Sequence, residues 1–320
     1  MTTTNPNVQL CISPKITSLK STYILPIPMS ATPNRTQRMI RLRNGLSMPS
    51  IGLGTYRITK YDQIFTAIQS ALESKYKLID TASVYRNEAH IAKALDELNA
   101  DRKSLFITSK LAPKDHGTEK AKAAVEKSLS ELKTDYLDLY LIHWPGIQNC
   151  DPKSERNKDL RLETWKVLEQ YHNQGILKAI GVSNYEIPHL KELLAECQVL
   201  PMVNQIEVHP HFQQRDLVQF CQDHEIHVTA YSSLGRTVEV SPLLTDPTVI
   251  DIANECSKSE AQVLLKWALT KGFSVLPKST NPNHIRDNCL LDFDLSVKDV
   301  DRLNEIEVNT KYAWNPSVVA

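Results

Sequence analysis

The stretch KLIDTASVYRNE, from Lys77 to Glu88, decides how the rest of the chain is interpreted. It predicts a short apolar strand that ends in Asp80, a polar turn that holds Tyr85, and the start of an amphipathic helix. A carboxylate and a phenol five positions apart at the carboxyl end of a strand are placed where α/β barrels carry out their chemistry. Taken alone, the same two residues are more simply explained as a turn or helix cap and a packing tyrosine.

Outward from this stretch, strand-like and helix-like segments alternate as far as residue 277. Eight segments have strand patterns: 51–55, 76–80, 105–109, 136–143, 177–183, 202–207, 227–232 and 273–277. Helical periodicity marks intervals such as 62–74, 118–132, 160–174 and 259–271. Eight βα units in series predict an α/β fold whose parallel sheet closes into a (β/α)8 TIM barrel. The longer loops 145–159 and 235–246 follow strands, so we expect them to rim the active face.

The amino-terminal part of the chain divides at Met39. Beyond it, two apolar runs flank Asn44-Gly45, which predicts a short β-hairpin in front of the barrel. Residues 39–320 are therefore expected to form a single barrel domain. Residues 1–38 are rich in Ser, Thr and Pro, and no Asp or Glu occurs before Asp62. This composition predicts a disordered extension, with an organelle transit segment as the second interpretation.

Composition excludes several classes of partner. The chain has 37 basic and 37 acidic side chains, so its charge favours neither nucleic acid nor an anionic membrane. The six cysteines are scattered without a CxxC pair, which is typical of a reducing compartment. No apolar run is long enough to span a bilayer. We therefore expect a cytoplasmic protein that binds a small molecule.

Four ionisable side chains lie at or just beyond the ends of three consecutive predicted strands. They are Asp80, Tyr85, Lys110 and His143. Neighbouring strands of a parallel barrel emerge side by side, so these groups are expected to meet at one mouth. Each residue has a simpler explanation when taken alone: Lys110 could be a solvated charge at the rim, and His143 a hydrogen-bonded histidine of the core. The convergence of all four favours a catalytic site.

The four residue types suit the reduction of a carbonyl group. That reaction needs a hydride donor and an acid that protonates the developing alkoxide. A phenol titrates near 10, and a neighbouring ammonium is expected to lower that pKa. Lys110 is placed to do this for Tyr85, with Asp80 holding the lysine. His143 is placed to hydrogen-bond the carbonyl oxygen.

The same residues carry a family resemblance. Seven segments are similar to the signature segments of the aldo-keto reductases. They are DTASVY at 80–85, TSK at 108–110, DLYLIHWP at 138–145, GVSN at 181–184, NQIEVHP at 204–210, AYSSLG at 230–235 and LPKS at 276–279. The resemblance covers roughly residues 39–315. It implies a (β/α)8 barrel, a catalytic tetrad at Asp80, Tyr85, Lys110 and His143, and a nicotinamide cofactor. That cofactor is usually NADPH, with NADH as a second donor.

The resemblance also implies a set of cofactor contacts. By motif position these are Gly54, Thr55, Tyr56, Asp80, Ser183, Asn184, Gln205, Tyr231, Ser232, Leu234, Gly235, Lys278, Ser279, Thr280, His284, Asp287 and Asn288. Tyr231 corresponds to the aromatic that stacks on the nicotinamide, and residues 278–280 to the clamp on the 2′-phosphate. A lysine beside hydroxyl groups is a sensible phosphate site in its own right.

One position departs from the family pattern. The family usually has an Arg six residues beyond the lysine of the clamp, whereas this chain has His284, followed by Arg286. Histidine lacks the guanidinium fork and is mostly neutral at pH 7. The resemblance therefore implies a weaker preference for NADPH over NADH than in members with the Arg.

The substrate pocket is expected to be formed by Tyr56, Tyr85, His143 and Trp144. The surrounding segments are expected to be the carboxyl-face loops 111–118, 145–159 and 235–246 and the tail that carries Trp314. The loop after Lys110 is short and the chain ends soon after Trp314. These features predict an open pocket for small or aromatic aldehydes and reactive dicarbonyls. The resemblance and the neutral charge favour a monomer.

Two further motifs have weaker interpretations. Tyr56 to Lys60 matches the YxxxK pair of short-chain dehydrogenases, but the Gly-rich turn of that fold is missing. Glu207, His209 and His211 would share one face of a continued strand and so could bind a metal, but Pro210 interrupts it. We expect no metal site.

A different class of function also fits the resemblance. Some barrels of this family act as cofactor-sensing binding modules or regulatory subunits with little turnover. The intact set of four ionisable residues favours an enzyme.

Overall fold

The computed structural model describes residues 38–235, 241–306 and 308–320. The extension predicted for residues 1–38 lies, apart from Arg38, outside the described residues. The described part opens with the predicted hairpin, in which β1 (Met39–Arg41) pairs antiparallel with β2 (Ser47–Pro49).

Eight parallel strands follow in the described ranges and form one sheet in sequence order. They are β3 (Gly52–Gly54), β4 (Leu78–Asp80), β5 (Phe106–Leu111), β6 (Leu139–Ile142), β7 (Ile180–Ser183), β8 (Val203–Glu207), β9 (His227–Tyr231) and β10 (Ser274–Val275). The first and last strands meet: Val275 N donates to Ser50 O at 2.9 Å, and Gly54 N donates to Pro277 O at 3.1 Å. Gly54 also forms a parallel bridge with Lys278. The sheet is thus a (β/α)8 barrel, as predicted, and we call the junction of β3 and β10 the seam.

Helices connect the strands around the outside of the barrel. They are α1 (Tyr61–Glu73), α2 (Glu88–Glu97), α3 (Thr118–Glu131), α4 (Arg156–Asn173), α5 (Ile187–Glu196), α6 (Arg215–Asp223), α7 (Pro247–Cys256), α8 (Glu260–Thr270), α9 (Pro282–Cys289) and α10 (Val297–Glu305). Local sequence explains their starts: Ser259 and Gln262 form a reciprocal capping box at α8, and Asp246 caps α7 ahead of Pro247. Within the described residues, no helix has the length and apolar character needed to cross a membrane.

Alternate residues of the strands pack into two different apolar cores. Ile79, Tyr140 and Val182 belong to a large core that includes the helices. Leu78, Leu141 and Val203 belong to a smaller core inside the barrel, because neighbouring residues of a strand face opposite sides. Leu42 and Met48 of the hairpin region join this inner core. The hairpin therefore closes the amino-terminal end and leaves the carboxyl end free for a site.

Two boundaries differ from the sequence prediction in ways that matter for the site. Lys110 lies inside β5 rather than beyond its end, and α4 begins at Arg156 within the segment predicted as loop. The first difference places the lysine in the fully buried part of the barrel.

Candidate active site

The four ionisable residues predicted from the sequence meet at the carboxyl mouth of the barrel. Asp80 ends β4, Lys110 lies in β5, and His143 directly follows β6. Tyr85 ends a 3₁₀ turn, Ser83–Tyr85, that follows β4. The ring of Tyr85 packs edge to face against His143 at 5.6 Å between centroids and against Tyr56 at 5.1 Å.

A buried ion pair lies beneath these rings. Lys110 Nζ donates to Asp80 Oδ1 at 2.6 Å and to Thr81 O at 2.7 Å. The Lys110 side chain is 0% exposed. Asp80 Oδ2 accepts from Gln205 Nε2 at 2.8 Å. Both oxygens of the carboxylate are therefore occupied, which fixes the lysine in position.

Burial dominates the protonation of the residues at the mouth. It lowers the pKa of Lys110, although the Asp80 carboxylate opposes the shift. It lowers the pKa of His143 well below its ordinary value, and the charge of Lys110 acts in the same direction. At neutral pH His143 is therefore uncharged.

The pKa of Tyr85 lies well above 10, because burial and then the Asp80 carboxylate disfavour the phenolate. The net shift is therefore upward, whereas the sequence predicted a lowered pKa. The ammonium lies 5.3 Å from the centre of the Tyr85 ring, but it is already paired with Asp80.

Asn87 is a positioning residue that sequence reasoning missed. It is 1% exposed, and its amide donates to Thr55 O and Ile58 O, both at 3.0 Å. Its oxygen accepts from Thr81 Oγ1 at 2.7 Å. These bonds tie the turn that carries Tyr85 to the loop after β3. An Asn two positions after a tyrosine gives no sequence signal for this role.

A cavity of about 1090 Å³ opens above these residues. Of the predicted site residues, its wall includes Gly54, Tyr56, Asp80, Tyr85, His143, Trp144, Ser183, Asn184, Gln205, Tyr231, Ser232, Leu234, Gly235, Lys278 and His284. One cavity thus joins the mouth to the region of the predicted phosphate clamp.

Several predicted cofactor residues lie outside the cavity wall. Thr55 is fully buried and donates to Asp80 O at 2.9 Å, and Asn288 is 5% exposed. Ser279, Thr280 and Asp287 do not line the cavity either. Asp287 pairs with Arg286 at 3.2 Å. Their predicted cofactor contacts stay predictions.

Hydrogen bonds organise the middle of the cavity wall. Asn184 Nδ2 donates to His143 O at 2.9 Å and to Ser183 Oγ at 3.0 Å. Tyr231 donates its hydroxyl to Asn184 Oδ1 at 2.5 Å, and Ser183 donates to Gln205 O at 2.8 Å. The residues expected to face the nicotinamide therefore form one connected network with the backbone of His143.

The chain after α10 supplies one wall of the cavity, and it includes Trp314, which the sequence placed beside the pocket. Residues 308–320, which we call the tail, contribute Ala313, Trp314, Asn315, Val318 and Val319 to the cavity. Arg57, Val84, Pro113, Ile147 and Cys150 also line it. The tail thus borders the cavity, and the openness of the pocket stays a prediction. Position after a strand end was the available signal for the loop residues, and the aromatic Trp314 was the signal for the tail.

The residues of the weaker motifs are used elsewhere. Glu207 accepts from His209 Nε2 at 3.1 Å, and His211 bonds Tyr312 and Asp246. Among the described residues, no group of His, Cys, Asp and Glu has an arrangement that could hold a metal ion.

A (β/α)8 barrel with ionisable groups at its carboxyl mouth belongs to the class of barrel proteins that act on small molecules at that face. Residues 50–308 match the profile of the Aldo/keto reductase family. The chain belongs to this family, whose members normally use NAD(P)H.

Relatives and solved structures agree along nearly the whole barrel. Glyoxal reductase of Bacillus subtilis (strain 168) is 38% identical over 285 residues, covering 89% of this chain and 98% of that protein. Glycerol 2-dehydrogenase (NADP(+)) of Saccharomyces cerevisiae is 35% identical over 299 residues, covering 87% and 93%. The crystal structure of MGS-M4, an aldo-keto reductase from a Medee basin deep-sea metagenome library, matches with a TM-score of 0.81 and 34% identity, covering 88% and 100%.

Proposed function

We propose that this protein reduces aldehydes or ketones to alcohols by hydride transfer from NADPH, with Tyr85 as the general acid. The observation that carries the proposal is the contact of Tyr85 with His143 on one cavity wall, above the buried pair of Lys110 and Asp80. The family and its reductase members support the same reaction class.

Tyr85 supplies the proton. Its raised pKa keeps the phenol protonated at neutral pH, so the proton is available to an alkoxide that forms beside it. Transfer remains favourable because an alkoxide is far more basic than a phenolate. Lys110 and Asp80 do not touch the substrate in this scheme. Asp80 holds Lys110 so that its ammonium lies 5.3 Å from the centre of the Tyr85 ring, where the ammonium favours the phenolate as the proton leaves.

His143 orients the carbonyl oxygen. Its Nδ1 is buried and has no hydrogen-bond partner among the described residues. The tautomer with the proton on Nε2 leaves only a lone pair unpaired there, whereas the other tautomer would bury an unpaired N–H. His143 is neutral, so Nε2–H is a fixed donor for the substrate oxygen.

The cavity wall fits a nicotinamide dinucleotide. Ser183, Asn184 and Gln205 offer amide and hydroxyl groups for the carboxamide, and Lys278 offers a cation at the other end. When bound, the reduced nicotinamide supplies the hydride. We propose NADPH as the preferred donor because Lys278 adjoins the hydroxyl groups of Ser279 and Thr280.

Small and aromatic aldehydes and dicarbonyls are the proposed substrates. Tyr56, Val84, Trp144 and Trp314 give the substrate end of the cavity an apolar and aromatic wall. Glyoxal reductase, at 38% identity, shows that a relative acts on a small dicarbonyl.

The test is an NADPH oxidation assay with glyoxal, methylglyoxal and benzaldehyde. Tyr85→Phe removes the proton donor, so kcat should fall by about 10²–10⁴-fold, while NADPH binding measured by protein fluorescence is retained. Tyr185→Phe is the matched control, because the Tyr185 hydroxyl is buried without a partner in the described part of the chain. Equal rates for Tyr85→Phe and the native protein would exclude Tyr85 as the acid. No turnover by the native protein, with NADPH still bound, would favour a binding module.

A further inference from the structure

A polar cluster of two buried and two half-buried residues lies beside the cavity, and the proposed chemistry does not use it. It consists of Glu207, His211, Asp246 and Tyr312, which we call the tail clasp. Glu207 is 0% exposed and ends β8, whereas Tyr312 lies in the tail. The cluster thus joins the barrel to the segment that forms one cavity wall.

Glu207 holds the backbone of the tail. Its Oε1 accepts from Tyr312 N at 2.6 Å, and its Oε2 accepts from Ala313 N at 3.1 Å. Lys311 Nζ lies 3.5 Å from Oε2. Backbone N–H groups bound to a carboxylate form strong hydrogen bonds, and here they fix the two residues that precede Trp314.

His211 holds the same segment through a side chain. Its Nδ1 bonds the Tyr312 hydroxyl at 2.6 Å, and its Nε2 bonds Asp246 Oδ2 at 2.9 Å. Its carbonyl accepts from Thr310 N at 2.8 Å. Asp246 also caps α7, so the tail is tied to a helix terminus as well as to β8.

The other end of the tail is fixed independently. Arg161 Nη1 donates to Ala320 O at 2.7 Å, His189 Nε2 bonds Val319 O at 2.9 Å, and Ala320 N donates to Pro152 O at 2.8 Å. The cavity-lining stretch from Ala313 to Val319 is therefore suspended between two anchors. Its position at the Trp314 end depends on the tail clasp.

We propose that Glu207 and His211 are positioning residues for the substrate, which hold Ala313 and Trp314 in the cavity wall. This inference rests on the proposed function. Loosening the clasp moves the wall, not Tyr85, Lys110 or His143. It therefore raises KM for substrates whose bodies reach the tail and leaves kcat unchanged.

The test compares Glu207→Gln with Asp138→Asn. Asp138 is an equally suitable buried carboxylate: it accepts from Ile107 N at 2.9 Å and Arg102 Nη2 at 2.8 Å, but it precedes β6 at the opposite end of the barrel. Two substrates with the same reacting group, methylglyoxal and phenylglyoxal, differ in whether a ring extends toward the wall. Glu207→Gln should raise KM for phenylglyoxal about tenfold, with KM for methylglyoxal and both kcat values within about twofold. Asp138→Asn should change neither KM.

Hydrogen exchange provides a readout independent of turnover. The amides of Tyr312 and Ala313 should exchange faster in Glu207→Gln and at native rates in Asp138→Asn. If Glu207→Gln does not fold, His211→Gln tests the clasp from its second contact, with the same expected rise in KM.

The outcomes separate the two proposals. No turnover by the native protein rejects the proposed function, and the inference falls with it. Normal turnover with unchanged KM, or an equal rise in KM for Asp138→Asn, overturns the inference alone.

Discussion

Tyr85 and Lys110 show how burial changes the roles of side chains. From residue types alone, an ammonium next to a phenol predicts a lowered phenol pKa. In the barrel, the phenol is desolvated and lies near the Asp80 carboxylate that pairs with the ammonium, so the pKa of Tyr85 rises on balance. The sequence predicted groups that the structure brings together, but their electrostatic balance depends on how deeply each is buried, which a motif does not encode.

The raised pKa of Tyr85 makes the two reaction directions respond differently to pH. Reduction needs the phenol, which persists below its pKa, and neutral His143, which persists above its lowered pKa. We expect kcat/KM for reduction to be level between about pH 6 and 9. Oxidation of the alcohol needs the phenolate and should rise about tenfold per pH unit over that range. The pH profiles of both directions measure this, and a loss of reduction centred near pH 7 would contradict the assignment of Tyr85.

His284 is expected to limit the preference of the protein for NADPH over NADH. It is exposed on α9 and lines the cavity with Lys278. His284→Arg adds a permanent charge and a bidentate donor near the proposed 2′-phosphate position, so the preference for NADPH over NADH should increase about tenfold. Dissociation constants for both cofactors test it, with Arg286→Lys as a charge-preserving control. Identical preferences in the native protein and His284→Arg would contradict the phosphate assignment.

The strands and helices were the most predictable level of structure. Eight strand patterns gave eight strands, because a parallel barrel buries both faces of each strand and leaves continuous apolar runs. The first and last residues of the strands and helices were less predictable. The pattern at 273–277 yields only Ser274–Val275, and residues 156–159 begin α4 although they are polar enough for a loop. Polar composition does not distinguish an exposed helical turn from a loop.

Gly181 in β7 lies too close to the neighbouring strands to accept a side chain. A Cβ there would lie 2.5 Å from Val203 O and 2.9 Å from Leu141 Cδ2. The backbone oxygen cannot move aside alone, so Gly181→Ala should force β7 and β8 apart and destabilise the protein by about 1–3 kcal/mol. Urea unfolding measures the free energy change. A native-like midpoint would show that the barrel accommodates the methyl group.

In the complete barrel, residues that are distant in the sequence lie together at the carboxyl mouth. The four ionisable residues were predictable because consecutive strands are neighbours. The contact that holds the tail to the barrel was not predictable, since Glu207 and Tyr312 are separated by 105 positions and no local pattern links them. The monomeric state and the cytoplasmic location stay predictions.

Among the described residues, the seam between β3 and β10 is joined by isolated bridges, Ile51 with Val275 and Gly54 with Lys278, whereas the other neighbouring strands pair as ladders. The proposed dinucleotide would touch both of its sides, since Gly54 and Lys278 form a bridge across it and both line the cavity. We expect saturating NADPH to slow hydrogen exchange at the amides of Gly54 and Val275 more than at those of β6. Equal slowing throughout the sheet would contradict this. The bound cofactor would then also hold the two ends of the sheet together. In the cofactor-free protein, we expect heat or proteases to open the barrel at the seam before the other strand junctions.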